Sequence, residues 1–159
     1  MIKVYRKTAT IQAEQFDGTQ KMIKKYGIED SADSGYNDSY WRDEGLFIPT
    51  KEGYLGINNG DWIATGVNGE HWAISDEVFK KTYAELPMIP DYVANWIEEC
   101  KQNNTPLSDV LGSEMRPERM HDWMALTPGT YQFDYARYQK YQELIARAWL
   151  DGYRVEADE

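Results

Sequence analysis

The feature that most constrains the fold is a change of hydrophobic period at the proline-flanked segment 87–90. Before it, apolar residues come in short runs separated by turn residues, which is typical of strands. After it, they recur every three or four positions, which is typical of amphipathic helices. Two prolines in four residues disfavour both a helix and a central strand. The sequence therefore predicts an α+β protein with a β-rich module over 1–86, a proline linker over 87–90 and a helical module over 91–159.

Short strands at intervals of about nine residues are predicted in the first module, and they suggest an antiparallel β-meander. These strands cover residues 46–50, 54–57, 62–65 and 71–74.

The segments around these strands carry their own signals. The Asn-Gly sequences within 58–61 and 67–70 favour positive φ angles, so both are predicted to be hairpin turns. Residues 3–16 read as one or two further strands, followed by a short helix that Gly27 ends. A final strand is predicted over residues 82–86.

Four helices are predicted in the second module from the 3.6-residue period. They begin near Asp91, Thr105, Glu118 and Phe133, and the last runs to about Asp151. The segment 153–155 is predicted to be a short closing strand.

Charge and composition exclude several classes of protein. The 159 residues include 17 Lys and Arg against 27 Asp and Glu, a net charge of -10. A basic surface for binding phosphates is therefore not evident, and direct nucleic-acid binding is not expected. The polar start of the sequence and the lack of a long apolar run predict neither a signal peptide nor a membrane span. With a single cysteine, Cys100, the cytoplasm is the expected location.

A set of motifs in the first module resembles a small β module that is common in phage-encoded proteins of unknown function. The motifs are Gly-Asp-aromatic-Ile at 60–63, Gly-Val-x-Gly-Glu at 66–70 and Phe-x-x-Thr-Tyr at 79–83. The same residues also have a purely structural interpretation, because Gly60 and Gly69 suit turns, Asp61 suits an Asx turn, and Trp62 and Phe79 suit a core.

Two segments of the second module, 89–98 and 144–153, look like a helical domain of unknown function from phages and prophages of Gram-positive bacteria. They read Ile-Pro-x-Tyr-Val-Ala-x-Trp-Ile-Glu and Leu-Ile-Ala-Arg-Ala-Trp-Leu-Asp-Gly-Tyr. Neither resemblance implies an activity, but together they imply a phage or prophage accessory protein.

Catalytic and metal-binding patterns are weak. His71 and His121 lack a Cys or His partner at the spacing that zinc requires. Glu118, His121 and Asp122 lie within one predicted helical turn, where a solvated polar face is the favoured interpretation over an acid-base or metal site. No nucleophile motif or phosphate-binding glycine loop is present. We therefore expect no catalytic residue, no metal site and no cofactor.

The 22 aromatic residues include 12 Tyr and 6 Trp, which are residue types enriched at recognition surfaces. Aromatic residues and carboxylates interleave most closely in the loop 36–44, whose alternative interpretation is a hairpin edge with two buried aromatics. The segment 131–141 is a second candidate surface, although its helical spacing favours core packing. The predicted partner-binding residues are Tyr36, Tyr40, Trp41, Asp43 and Glu44.

Two functional hypotheses follow. The first is a non-enzymatic phage accessory protein that binds a host or defence protein with a basic surface; an anti-CRISPR or anti-restriction inhibitor is its most specific form. The alternative is a small-ligand or nucleotide-binding protein or an enzyme, with a pocket between the modules that uses Arg116, Arg119 or Arg137. The aromatic surplus is also compatible with a homodimer.

Overall fold

The computed structural model describes residues 2–31, 45–112 and 116–156. The chain divides into two compact units, Met1–Ala84 and Glu85–Glu159, which we call the β unit and the helical unit. Antiparallel sheets in the first and helices in the second confirm the predicted α+β class.

The strands that the structure describes in the β unit form two three-stranded antiparallel sheets rather than one continuous meander. Their orders are β1-β5-β6 and β2-β3-β4, and β3 and β4 lie against β6. The four strands predicted between 46 and 74 are confirmed, with β4 beginning one residue early. In chain order, the described elements are β1 (Gln12–Gln15), α1 (Gln20–Tyr26), β2 (Glu29–Asp30), β3 (Leu46–Thr50), β4 (Gly53–Ile57), β5 (Trp62–Thr65), β6 (His71–Ile74) and α2 (Asp76–Thr82).

Helix α1 closes one side of the β unit and has clear local start and stop signals. The Thr19 hydroxyl accepts a hydrogen bond from the Met22 amide, and Gly27 ends the helix in the left-handed region at φ 62°. Helix α1 buries its apolar face in the core of the β unit, as its spacing predicts. That core consists of Phe16, Met22, Tyr26, Ile28, Ile48, Ile57 and Ile63.

The predicted hairpin turn at 67–70 is confirmed, because it joins the paired strands β5 and β6. Gly69 takes a positive φ of 75°. The Glu70 carboxylate folds back over the turn and accepts a hydrogen bond from the Asn68 amide at 3.0 Å. A methyl group at Gly66 would overlap with this carboxylate, so the glycine leaves the space that the carboxylate occupies and does not adopt an unusual φ.

The second predicted hairpin turn, 58–61, is wrong. It connects β4 in one sheet to β5 in the other. The reason is a non-local partner: the Gly60 amide donates to the Phe16 carbonyl and the Phe16 amide donates to the Asp61 carbonyl, each at 2.8 Å. Residues 60 and 61 therefore form hydrogen bonds with Phe16, which directly follows β1, instead of closing a hairpin between β4 and β5.

The predicted strand over 82–86 is also wrong. Helix α2 extends through Thr82, whose hydroxyl donates to the Val78 carbonyl at 2.7 Å. The ring of Tyr83 stacks on Phe79 at 5.0 Å, so it continues the packing of the helix. In the segment 3–16, only Gln12–Gln15 forms a strand.

The helical unit contains the four predicted helices and a core of its own. Met120 and Met124 of the third helix, and Ile145 and Ala148 of the fourth, are fully buried, in agreement with the predicted faces. The helices are α3 (Asp91–Gln102), α4 (Leu107–Gly112), α5 (Glu118–Ala125) and α6 (Tyr135–Asp151).

A parallel strand pair joins the two ends of the helical unit. Strand β7 (Met88–Ile89) pairs with β8 (Arg154–Val155), which confirms a strand near 153–155. Strand β7 lies inside the segment 87–90 that was expected to be a linker. The two prolines are compatible with this pairing because the carbonyls of Pro87 and Ile89 accept from the amides of Arg154 and Glu156.

We predict that Gly66→Ala destabilises the protein by about 1 kcal/mol, because the new methyl group displaces the Glu70 carboxylate from its hydrogen bond. In a Glu70→Ala background, the same substitution should be close to neutral. Urea unfolding of the four proteins of this double-mutant cycle measures the difference. Equal costs in both backgrounds would show that Glu70 is not the reason for the glycine.

Candidate protein-binding surface

The five partner-binding residues predicted from the sequence lie outside the described residues. Tyr36, Tyr40, Trp41, Asp43 and Glu44 all belong to the segment 32–44. Their assignment to a binding surface stays a prediction.

The motif residues of the β unit form a half-buried aromatic stack on one side of the β1-β5-β6 sheet. The rings of Trp62 and Phe79 are nearly parallel, with centroids 4.1 Å apart, and Tyr83 follows at 5.0 Å from Phe79. The indole nitrogen of Trp62 donates to Asp76 at 2.9 Å, and Lys80 donates to the other oxygen of the same carboxylate at 2.6 Å. These motif residues therefore specify how α2 packs on the sheet.

A polar cleft of about 320 Å³ lies on the opposite side of this sheet. Its floor is the buried side chain of Ile63, and its walls come from β1, β5 and α1. The lining residues are Gln12, Ala13, Glu14, Lys25, Tyr26, Ile63 and Thr65.

The ionisable groups of the cleft bind one another. Glu14 pairs with the Lys25 ammonium and accepts a hydrogen bond from the Tyr26 hydroxyl at 2.7 Å. The hydrogen bonds from Lys25 and Tyr26 hold the pKa of Glu14 below its ordinary value. Beside them, Thr65 Oγ1 lies 2.9 Å from His71 Nδ1, and the Tyr26 and His71 rings meet edge to face. This network connects α1 to the sheet, and a carboxylate that is already paired is a poor general base.

In the helical unit, a hydrogen-bonded turn connects α5 to α6. Leu126 and Phe133 form an isolated antiparallel bridge, and the Thr127 amide donates to the Gln132 carbonyl at 2.9 Å. The Thr130 hydroxyl and amide both donate to the Thr127 carbonyl, at 2.9 and 3.0 Å. We call residues 126–135 the aromatic turn.

Both ends of the aromatic turn are fixed to the helices. The Asp134 amide donates to the Ala125 carbonyl at 2.7 Å, and the Asp134 carboxylate caps α6 by accepting from the Arg137 amide at 3.0 Å. Because helix and turn share these hydrogen bonds, the side chains between them are held on an ordered backbone.

Three aromatic side chains of this turn are exposed. Tyr131 is fully exposed, Tyr135 is 71% exposed and Phe133 is 54% exposed. Core packing was the favoured interpretation of the segment 131–141, and it is correct only for Tyr138 and Tyr141, which pack against the core. Tyr131 and Phe133 precede α6, so its helical period does not apply to them, and Tyr135 is exposed as the first residue of the helix. The sequence feature that indicates these exposed rings is the Thr-Pro-Gly turn at 127–129, because it delays the start of the helix.

Arginines of the helical unit lie over aromatic rings. The guanidinium carbon of Arg119 is 4.1 Å from the centroid of the Tyr92 ring, which connects α5 to α3. Arg137 lies 4.4 Å from the Tyr141 centroid, and its Nε donates to the Trp123 carbonyl at 2.9 Å. Planar stacking of this kind fixes the guanidinium group.

Arg116 has a similar environment. Its guanidinium carbon lies 5.9 Å from the Tyr138 centroid, and one nitrogen lies 3.0 Å from the Met124 sulfur. The three arginines considered for a small-ligand pocket thus help to pack the helical unit. These contacts favour a structural role over the ligand role.

The other candidate catalytic residues have ordinary environments. Glu118, His121 and Asp122 are exposed on α5, and no group of three potential metal ligands occurs among the residues described here. Cys100 is 3% exposed, and burial raises the pKa of its thiol. A buried thiol with a raised pKa is not poised as a nucleophile.

Residues 84–159 match the family described as Protein of unknown function (DUF1642). The match covers just under half of the chain and coincides with the helical unit to within one residue. The aromatic turn therefore lies in the part that is similar to DUF1642. No curated protein and no solved structure matches the chain. Within the described ranges, none of the helices has the length and apolar character to cross a membrane.

We predict that Glu14 contributes a pH-dependent part of the stability. Its folded pKa is depressed, so its contribution is present above the ordinary value of 4.5 and is lost as the pH falls through the folded pKa. Thermal unfolding of wild type and Glu14→Gln should differ most near neutrality and converge in acid. Glu52→Gln, on the β3–β4 hairpin, is the control. A wild-type advantage that persists unchanged at low pH would contradict this role.

We also predict that Cys100 reacts with a thiol reagent at least about tenfold more slowly in the folded protein than in urea, because the thiolate is both shielded and disfavoured. Absorbance of the released chromophore measures the rate, and Cys100→Ser gives the background. Equal rates in both conditions would mean that the thiol is accessible.

Proposed function

We propose that this protein is a phage accessory protein that binds a host or defence protein and has no catalytic activity of its own. The DUF1642 family is typically found in phage proteins, and motifs of the β unit resemble those of a small β module of phage-encoded proteins. Both observations support the phage origin. The nature of the activity is argued from the surface of the helical unit.

The observation that carries the proposal is the exposed aromatic turn. Large aromatic side chains that face solvent on a hydrogen-bonded backbone are characteristic of binding hot spots, since they bring contact area and lose little conformational entropy on binding. Tyr131 is completely exposed, so its own unit does not cover its ring. A partner that covers Tyr131, Phe133 and Tyr135 would bury them together.

Charge suggests which partner fits. The net charge of -10 attracts a basic protein at long range. Glu118 and Asp122 are exposed on α5, the helix that leads directly into the aromatic turn. A partner surface with basic residues around an apolar site would match this combination.

The side chains that could have supported catalysis are engaged elsewhere. Glu14 is paired with Lys25, His71 lies beside Thr65, and Cys100 is buried. A binding role, in which the protein competes for a site on its target, requires none of these groups.

The test is affinity capture from a lysate of the bacterial host, with the captured protein identified by mass spectrometry, purified and titrated by calorimetry. We expect Tyr131→Ala with Tyr135→Ala to weaken binding at least about tenfold, the size of a typical hot-spot loss. Val67→Ala, at a more exposed residue of the β unit, should bind like wild type. All variants should keep the wild-type melting temperature within a few degrees, because the substituted residues are exposed.

The outcomes separate the alternatives. If only Tyr40→Ala with Trp41→Ala abolishes binding, the binding function stands but the surface is the sequence-predicted loop. Capture of a host nuclease whose activity is then inhibited would identify an anti-CRISPR or anti-restriction role. Recovery of no protein partner would overturn the proposal and favour a small-ligand function.

A further inference from the structure

The chain contains two Asn-Gly sequences, at 59–60 and 68–69, and asparagine is chemically labile in this dipeptide. Because glycine has no Cβ, its amide nitrogen can approach the side-chain carbonyl carbon of the preceding asparagine. Asn59 and Asn68 are both exposed, so exposure does not distinguish them. They differ in how firmly the structure holds the attacking nitrogen and the carbon that it attacks.

The backbone of Gly60 is held by the core of the β unit. Its amide donates to the carbonyl of Phe16 at 2.8 Å, and Phe16 is only 1% exposed. The Gly60 carbonyl accepts a hydrogen bond from the side-chain amide of Gln15 at 3.0 Å. Attack by the Gly60 nitrogen therefore requires the loop to separate from the end of β1.

The loop around Asn59 is held as well. The Asn58 amide donates to the Asp61 carboxylate at 2.9 Å, and the Asp61 amide donates to the Asn58 carbonyl at 3.0 Å. The side-chain carbon Cγ of Asn59 lies 3.8 Å from the position that a Cβ would take at Gly18. The carbon that must be attacked is therefore packed against a neighbouring loop.

Asn68 and Gly69 lie in the hairpin turn between β5 and β6, where the hydrogen bonds are local. The Gly69 amide donates to the Gly66 carbonyl at 3.0 Å, and the Asn68 amide donates to the Glu70 carboxylate at 3.0 Å. Apart from its chain neighbours, no described residue has an atom within 4 Å of the position that a Cβ would take at Gly69. Opening this turn frees the Gly69 nitrogen without moving a core residue.

We propose that Asn68 is a site of spontaneous deamidation, while the folded β unit protects Asn59. The Gly69 nitrogen forms a bond to the side-chain carbonyl carbon of Asn68, the bond from that carbon to Nδ2 breaks, and the proton of the Gly69 amide leaves with the side-chain nitrogen as ammonia. Water then opens the cyclic imide at either of its carbonyls, which gives aspartate or isoaspartate. The reaction needs no other reactant, and it is independent of the binding of a host protein through the aromatic turn.

The product changes the turn in two ways. A carboxylate at position 68 replaces a neutral amide two residues before Glu70, and the two like charges repel each other. Isoaspartate also lengthens the main chain of the loop whose register pairs Thr65 with His71. Because the Thr65 hydroxyl and the Tyr26 ring both contact His71, we expect the modified turn to loosen the network that connects α1 to the sheet.

The experiment incubates the full chain in mildly alkaline buffer for several days, in the folded state and in concentrated urea. Both asparagines fall in one tryptic peptide, 52–80, so fragment ions assign the mass gain of about 1 Da to position 59 or 68. In the folded protein, Asn68 should react at least about tenfold faster than Asn59, because only Asn59 requires the loop to leave the core. In urea, the two rates should agree within about threefold, since neither site is then protected.

Two matched variants make the assignment independent of the fragment ions. On isoelectric focusing, Asn68→Gln should remove the acidic species that forms first, and Asn59→Gln should leave it unchanged. Three results would overturn the proposal. One is equal rates at the two asparagines in the folded protein. The second is a difference that persists in urea, because local sequence and not the fold would then be its cause. The third is a folded protein that gains no mass at position 68 during the time in which the unfolded protein does.

Discussion

The helical unit depends on the parallel pairing of β7 with β8. This pair brings residues 88–89 beside residues 154–155, so the four helices are held between two segments that are far apart in sequence. Around it, the Tyr153 hydroxyl donates to Glu98 at 2.7 Å, and burial together with this bond raises the pKa of Tyr153 to about 12. Arg154 also pairs with Glu85. The strand pair and its neighbours therefore determine where α6 ends relative to α3, which in turn keeps the faces of the helices against one core.

The aromatic turn shows how this scaffold supports a recognition surface. Its backbone forms hydrogen bonds to the end of α5 and the start of α6. Elsewhere in the helical unit, Arg137 and Arg119 lie over the rings of Tyr141 and Tyr92. Tyr131 of this turn is fully exposed. A hydrogen-bonded turn with exposed aromatic rings is suited to binding a pre-existing site on another protein.

The sequence predicted local structure well and long-range pairing poorly. All four helices and the strands between 46 and 74 follow from period and capping, because these depend on residues a few positions apart. The two Asn-Gly turns have the same local chemistry, yet Gly69 closes a hairpin and Gly60 does not, since Phe16 pairs beside it. Thr82 belongs to a helix because the aromatic stack extends it. The candidate surface was partly visible in the segment 131–141, but helical spacing assigned its first residues to the core. Tyr131 precedes α6, whereas Tyr135 is exposed although it is the first residue of that helix.

Each unit has a core built from its own residues, and the boundary between Ala84 and Glu85 falls outside both cores. No strand pairing of the described residues crosses that boundary. A recombination event at this point of the gene would exchange one complete half for another without opening either core. The β unit and the helical unit are therefore suited to being inherited as separate cassettes. The family match that begins at residue 84 covers the helical unit and not the core of the β unit.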